Sequence, residues 1–181
     1  MIFLGPPGAG KGTQASRLSD ACGVPHVSTG DILRTAVSAQ TELGRKAEHY
    51  MNAGELVPDN LVLDLIRERL TEPDAQSGWI LDGFPRNVPQ AEFMDQLLAE
   101  ISQPYDFVIN LEVPDEVIVA RLLSRGRKDD SQEVIENRLQ VYREQTEPLI
   151  EFYRGRQKLV SIDGNRPMDT VANDLQSLVR A

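Results

Sequence analysis

A single cysteine, Cys22, leaves no partner for an intramolecular disulfide and excludes a zinc cage of four cysteines. That poverty points to the cytoplasm. Cys22 precedes Gly23 at an expected helix end and reads as a small buried thiol. No apolar run approaches the ~20 residues of a membrane span, so no membrane partner is expected. No basic stretch precedes the brief run Ile2-Phe3-Leu4, and glycine and proline follow at once, so the start reads as part of the fold rather than a secretory signal. Positive charge is scarce: 19 Lys and Arg face 28 Asp and Glu, a net charge of -9. Broad nucleic-acid binding needs a basic face and is not expected. Any polyanion must be held by arginines concentrated locally against the global field. The two histidines, His26 and His49, lie near no nucleophile pattern and read as structural.

What is present describes one globular domain. The 181 residues are 40% hydrophobic and 26% charged, enough for one well-buried core. Short apolar runs alternate with helical patterns, as in a parallel sheet wrapped by helices. Strands are expected at Ile2 to Leu4, His26 to Ser28, Trp79 to Leu81, Phe107 to Val113 and Leu159 to Ile162. Between them, Leu61, Val62, Leu65, Ile66 and Leu70 recur at helical spacing behind an expected Asp59 cap. Ala91, Met94, Leu98 and Ile101 repeat the pattern. Ile135, Leu139, Tyr142, Leu149 and Tyr153 place one face on a long helical segment from Asp130 to Tyr153, which Pro148 should bend. About fifty residues separate the second and third strands, enough for a separate helical flap between Ser28 and Val57. Ser124 to Asp130 is polar apart from Gly126 and reads as a turn between helices.

The stretch G-P-P-G-A-G-K-G-T carries Gly5, Gly8, Gly10 and Gly12 with Lys11 and Thr13 in nine positions, directly after an apolar run. A glycine-rich turn between a strand and a helix gathers backbone N–H groups at the positive end of the helix, where phosphate binds. Glycine permits the close backbone approach, and Lys11 can reach the outer phosphates. The pattern fits G-x-x-x-x-G-K, but Gly12 follows the lysine and the hydroxyl comes one residue later, at Thr13. Direct hydroxyl ligation of magnesium of the usual P-loop kind is therefore not expected. A guanine-selecting N-K-x-D is missing from the chain, which argues against a switch GTPase.

The chain resembles the short-lid adenylate kinases, within the nucleoside monophosphate kinase family. The likeness runs nearly end to end, through G-P-P-G-A-G-K-G-T, S-T-G-D-I-L-R, G-E-L-V-P-D, L-D-G-F-P-R, R-G-R-K-D-D and N-R-L-Q-V-Y. It implies a three-layer α/β P-loop fold with a five-stranded parallel sheet, forming a single kinase domain over 1-181. That domain divides into a core of 1-27, 58-123 and 131-181, an AMP-binding insert at 28-57 and a short lid at 124-130. Long-lid relatives insert some thirty residues at the lid, some with a four-cysteine metal site, which the cysteine count excludes here. The implied activity is reversible transfer of the terminal phosphoryl group of Mg-ATP to AMP, giving two ADP, by a monomer.

The resemblance also assigns roles. ATP falls to Gly8, Ala9, Gly10, Lys11, Gly12 and Thr13, with Arg121, Arg125 and the Gly164 turn. AMP falls to Thr29, Arg34, Glu55, Leu56, Val57, Gly83, Phe84, Pro85, Arg86 and Gln90, with Gln90 reading the base and Arg127 and Arg138 reaching from the transferring group. Lys11, Arg86, Arg121, Arg125, Arg127, Arg138 and Asp82 form the catalytic set. Magnesium would sit on nucleotide phosphates with no direct protein ligand, Asp82 meeting its water shell. The residues themselves lend support: Arg121, Arg125 and Arg127 fall within seven positions of an otherwise acidic protein, and guanidinium forks suit phosphate oxygens. Asp82 closes a strand just where parallel sheets meet ligands. Two other readings stand beside this one: a kinase of UMP or CMP, and a regulatory module that binds ATP without turnover.

Overall fold

The computed structural model describes residues 1-127 and 130-180. Five parallel strands form one sheet: β1 (Ile2–Leu4), β2 (His26–Ser28), β3 (Ile80–Asp82), β4 (Val108–Glu112) and β5 (Leu159–Asp163). Their order is β2-β3-β1-β4-β5. β1 lies at the centre, with Ile2 beside Leu81 and Val108, and Phe3 beside Asp82 and Ile109. All three of its residues are buried, as expected of a strand covered on both faces. Each expected strand is present, with ends displaced by one residue at most.

Alternation along β1 sends its side chains into two separate cores. Ile2 and Leu4 join Ile66, Leu70, Met94, Leu98 and Tyr153, which come from α4 (Asp59–Thr71), α5 (Val88–Glu100) and α8 (Pro148–Gly155). Phe3 joins Ala15, Leu18, Val171 and Leu175 from α1 (Lys11–Cys22) and α9 (Met168–Arg180). Helices therefore cover both faces of the sheet, giving three layers. A third, smaller cluster packs Ile118 and Leu122 of α6 (Asp115–Arg125) on Ile135 and Leu139 of α7 (Gln132–Val141). Among the described residues no helix is long and apolar enough to cross a membrane.

The insert between β2 and α4 consists of two helices packed on each other, α2 (Thr29–Ser38) and α3 (Glu42–Ala53). Each starts at a hydroxyl cap: Ser28 Oγ accepts from Asp31 N at 3.3 Å, and Thr41 Oγ1 accepts from Gly44 N at 3.1 Å. The two backbones touch at Gly44, where a methyl carbon would stand 2.0 Å from Ala36 O.

Three local expectations are corrected. Asp59 does not cap α4; Pro58 holds that position, and Asp59, the first helical residue, turns its carboxylate to α5 instead. Cys22 is exposed, because the buried face of α1, formed by Gln14, Ala15 and Leu18, ends a turn earlier. The segment from Asp130 to Tyr153 is not one bent helix. A π-helical turn, Tyr142–Thr146, separates α7 from α8, whose first residue is Pro148. Proline has no N–H to continue the ladder, and Glu147 N instead reaches five residues back to Tyr142 O at 2.8 Å. The apolar stripe accordingly splits, Ile135 and Leu139 entering the small cluster and Leu149 and Tyr153 the main core.

Candidate active site

Strand order reverses on either side of β1, and a cleft opens beyond the carboxyl ends of the strands, as open parallel sheets dictate. The cavity there measures about 1290 Å³, larger than the 300–1,000 Å³ typical of a site for one small molecule. Among the described residues, eight cationic side chains line it against three carboxylates, in a chain whose net charge is -9. The cleft therefore concentrates positive potential where an anion would enter.

β1 delivers the glycine-rich turn into this cleft. Gly5, Gly8 and Gly10 adopt φ values of 133°, 85° and 95°. A side chain at Gly8 would meet Leu122 at 2.9 Å, so the turn can lie against α6 only without one. Gly10 occupies the cap position of α1 and offers no side-chain acceptor. The first-turn N–H groups thus stay available at the positive end of the helix dipole. Lys11 curls back over the turn, donating to Gly5 O at 2.8 Å and Pro6 O at 2.9 Å. Burial pushes its ammonium down to about 8; Asp82 partly opposes this, and Arg86 and Arg125 add to it. A cation so placed lacks a full counter-charge and is poised to accept one.

Asp82 ends β3 and is 9% exposed. Burial alone would raise its carboxyl, but the neighbouring His26, Lys11 and Arg86 outweigh that and hold it below the usual range. Its Oδ2 lies 3.3 Å from the place a side chain on Gly12 would occupy. The carboxylate therefore faces the phosphate-binding turn. Among the described residues no three His, Cys, Asp or Glu side chains are grouped to hold a metal unaided. An ionised lone carboxylate beside a phosphate cradle fits a magnesium ion held chiefly by nucleotide oxygens and water.

On the far side, β2 leads straight into α2, which brings Thr29, Asp31 and Arg34 to the cleft. Thr29 is buried and donates to Asp82 O at 3.3 Å, fastening the insert to β3. Arg34 pairs with Asp31 at 2.5 Å; burial opposes ionisation of that carboxyl, and the arginine contact lowers it below the usual range nonetheless. After β3, Gly83 takes φ 85° and the Phe84-Pro85 peptide is cis. Arg86 lies along the cavity wall, its Nε donating to Gly83 O at 2.9 Å. Its backbone O accepts from Thr146 Oγ1 at 2.7 Å. Gln90 is 3% exposed and borders the same space, as do Glu55, Leu56 and Val57.

The remaining arginines come from α6 and α7. Arg121 donates through both terminal nitrogens to Gly164 O, at 3.3 and 3.2 Å, so two residues expected on the ATP side meet each other. Arg125 forks onto Asp130 at 2.8 and 2.7 Å, and Arg138 reaches the same carboxylate at 3.1 Å and Met51 O at 3.4 Å. Arg127 lines the cavity as well. Two residues of the expected lid, Lys128 and Asp129, lie outside the described residues.

The structure thus brings every expected site residue to one cavity. It adds others that no motif marked. His26, read as structural, lines the cleft with Nε2 3.8 Å from Asp82 Oδ2. Gln14 donates to Met168 O at 3.0 Å and ties α1 to the first residue of α9. Thr146 fixes the backbone of Arg86 from the π-helical turn. Asp130 belongs to a quoted block, but its role as common partner of two arginines depends on α7 folding back beside α6.

Comparison with known proteins gives one consistent result. A family model described as adenylate kinase matches residues 3–158. "Adenylate kinase 1" of Synechocystis sp. is 58% identical over 180 residues, covering 99% of this chain and 96% of the relative. "Adenylate kinase 1" of Nostoc sp. is 57% identical over 177 residues, covering 98% and 96%. "Adenylate kinase" of Trichodesmium erythraeum is 58% identical over 184 residues, covering 99% and 96%. With a match of this length, and a phosphate cradle facing an arginine-lined cleft across one sheet, the chain belongs to the adenylate kinase family.

Proposed function

We propose that the chain reversibly transfers the terminal phosphoryl group of Mg-ATP to AMP, giving two ADP. The observation that carries this reading is the single cavity of about 1290 Å³ that joins the glycine-rich turn to the Arg34, Arg86 and Gln90 wall. A pure ATP-binding module would need only the first of these.

Phosphoryl transfer asks the protein for alignment and charge rather than covalent chemistry. Two nucleotides placed phosphate to phosphate repel, at about 4 kcal/mol for each pair of unit charges 4 Å apart in an effective dielectric near 20. The cations of the cleft offset that repulsion. On the donor side, the backbone of Gly8 to Thr13 cradles the phosphates, Lys11 leaves its carbonyl contacts for the outer phosphates, and Arg121 with Gly164 borders the adenosine end. On the acceptor side, Arg34 and Arg86 take the monophosphate, while Gln90, Thr29 and the backbone of Glu55 to Val57 meet the base. Gly83, Phe84 and Pro85 shape the wall between them. Arg125, Arg127 and Arg138 stand where the moving group crosses and favour its spread charge. Asp82 would hold magnesium through water, and the bound ion would supply further neutralisation between the donor phosphates.

The insert 28-57 acts in this reading as the AMP-binding flap, and 124-130 as the lid that excludes water, the competing acceptor. The catalytic unit is the monomer, since both nucleotide sides are built from one chain.

The test supplies Mg-ATP with AMP, UMP, CMP or GMP separately and measures ADP. AMP should yield two ADP per turnover at a rate far above the others. Preferred phosphorylation of UMP or CMP would overturn the acceptor assignment, and ATP binding without ADP formation would overturn catalysis.

A further inference from the structure

We propose that Asp59 selects the acceptor base by locking the amide of Gln90 in one orientation. This rests on the reading of Gln90 as the side chain that meets the AMP base.

Asp59 starts α4 but does not cap it, and it does not itself line the cavity. Its Oδ1 accepts instead from Gln90 Nε2 at 2.6 Å and from Asn87 Nδ2 at 3.4 Å. On its other atom, Gln90 Oε1 accepts from Arg86 N at 2.7 Å. Its backbone N–H is capped by Asn87 Oδ1 at 2.8 Å, which fixes the start of α5 beneath it. The amide is thus gripped at both ends by groups of opposite kind, a carboxylate that only accepts and a backbone N–H that only donates. Rotating the amide by half a turn would set Oε1 against the carboxylate and Nε2 against the N–H. Both contacts would turn from attraction to repulsion.

An amide nitrogen carries two hydrogens and an amide oxygen two lone pairs, so each atom keeps one further bond to offer. Gln90 is buried except where it borders the cavity. What it offers there is one donor and one acceptor in an order set from behind. Adenine presents a 6-amino donor beside the N1 acceptor. Hypoxanthine presents a 6-oxo acceptor beside an N1–H donor, the reverse order. A free glutamine could serve either base by flipping; one held by Asp59 serves adenine and leaves hypoxanthine facing like groups. Asp59 is in this sense a positioning residue, acting through Gln90 without touching the nucleotide.

The experiment compares AMP and IMP as acceptors in the wild type, Asp59→Asn, Gln90→Ala and the double variant. Asparagine matches aspartate in size but can turn either a donor or an acceptor to Gln90. Asp59→Asn should lower the AMP-over-IMP ratio of kcat/KM by about tenfold, roughly the worth of one hydrogen bond. Its kcat at saturating AMP should stay within about twofold of wild type, because no group at the transferring phosphoryl has changed. In the Gln90→Ala background the same change should leave the ratio unmoved, since there is no amide to hold. If Asp59→Asn folds poorly, Asp59→Ser keeps a polar helix start and also supplies a hydroxyl that can donate. A merely structural Asp59 would depress both acceptors equally, and an unchanged ratio in Asp59→Asn beside a lowered one in Gln90→Ala would overturn the inference. Gln90→Ala with a wild-type KM for AMP would overturn the underlying reading of Gln90 instead.

Discussion

Replacing Lys11 by methionine should make the protein more stable and inactive together. Lys11 is half-buried, and its ammonium is pushed from 10.5 down to about 8 with burial as the largest cause. Holding it charged in the folded state therefore costs about 3 kcal/mol at neutral pH, at roughly 1.4 kcal/mol for each pH unit of displacement. Lys11 also faces the open cleft, where solvent screens part of that cost, so about 2 kcal/mol is the expected gain for Lys11→Met. The pH dependence follows from linkage. The folded pKa lies below the unfolded one, so between about 8 and 10.5 the unfolded chain binds more protons and stability rises with pH. The advantage of the variant should be complete below pH 8 and fade as pH climbs toward 10.5. Urea unfolding reports this directly through Trp79, the only tryptophan, which is 5% exposed and donates to Gln103 at 3.0 Å. A variant no more stable than wild type at pH 7, or one whose advantage persists undiminished at pH 10, would refute the reasoning. Saturating ATP should reverse the ranking, because only the wild-type ammonium gains a phosphate partner.

Gly44→Ala should destabilise the insert. Alanine favours helix by ~1 kcal/mol over glycine, but its methyl would stand 2.0 Å from Ala36 O, and only separation of α2 from α3 can relieve that. A net loss of about 2 kcal/mol in urea unfolding is expected, with KM for AMP rising more than KM for ATP; an unchanged midpoint would contradict the packing. Arg86→Ala should lower kcat by about 10²- to 10³-fold while the Trp79 unfolding midpoint stays near wild type. Its side chain is exposed along the cavity wall, whereas Thr146 holds only its backbone. Near-normal turnover would remove Arg86 from the transfer machinery.

Much of this architecture is legible in the residues because its signals are local. Ile2-Phe3-Leu4 before a run of glycines announces a strand and a phosphate turn, and the helical spacing of Val62, Ile66 and Leu70 announces α4. What escapes depends on parts of the chain that meet only after folding. Asp59 looks like a helix cap until α5 brings Gln90 and Asn87 to it from 31 and 28 residues away. His26 reads as an ordinary strand residue until β3 sets Asp82 beside it. Cys22 sits at helical spacing from Leu18, and its exposure depends on where the buried face of α1 stops. The π-helical turn had only Pro148 as a local sign, and proline alone does not distinguish a bend from a change of helix type. Blocks recognised as a family pattern marked which residues converge; they did not mark Asp130 as the carboxylate on which Arg125 and Arg138 meet.

The central claim is that one cleft holds two nucleotides end to end. Calorimetric titration with two adenosines joined through five phosphates measures this most directly. The account predicts one equivalent bound, far more tightly than ATP or AMP alone, with prior saturation by either nucleotide abolishing the tight phase and Arg86→Ala weakening it. Binding no tighter than that of ATP, and untouched by AMP or by Arg86→Ala, would contradict it.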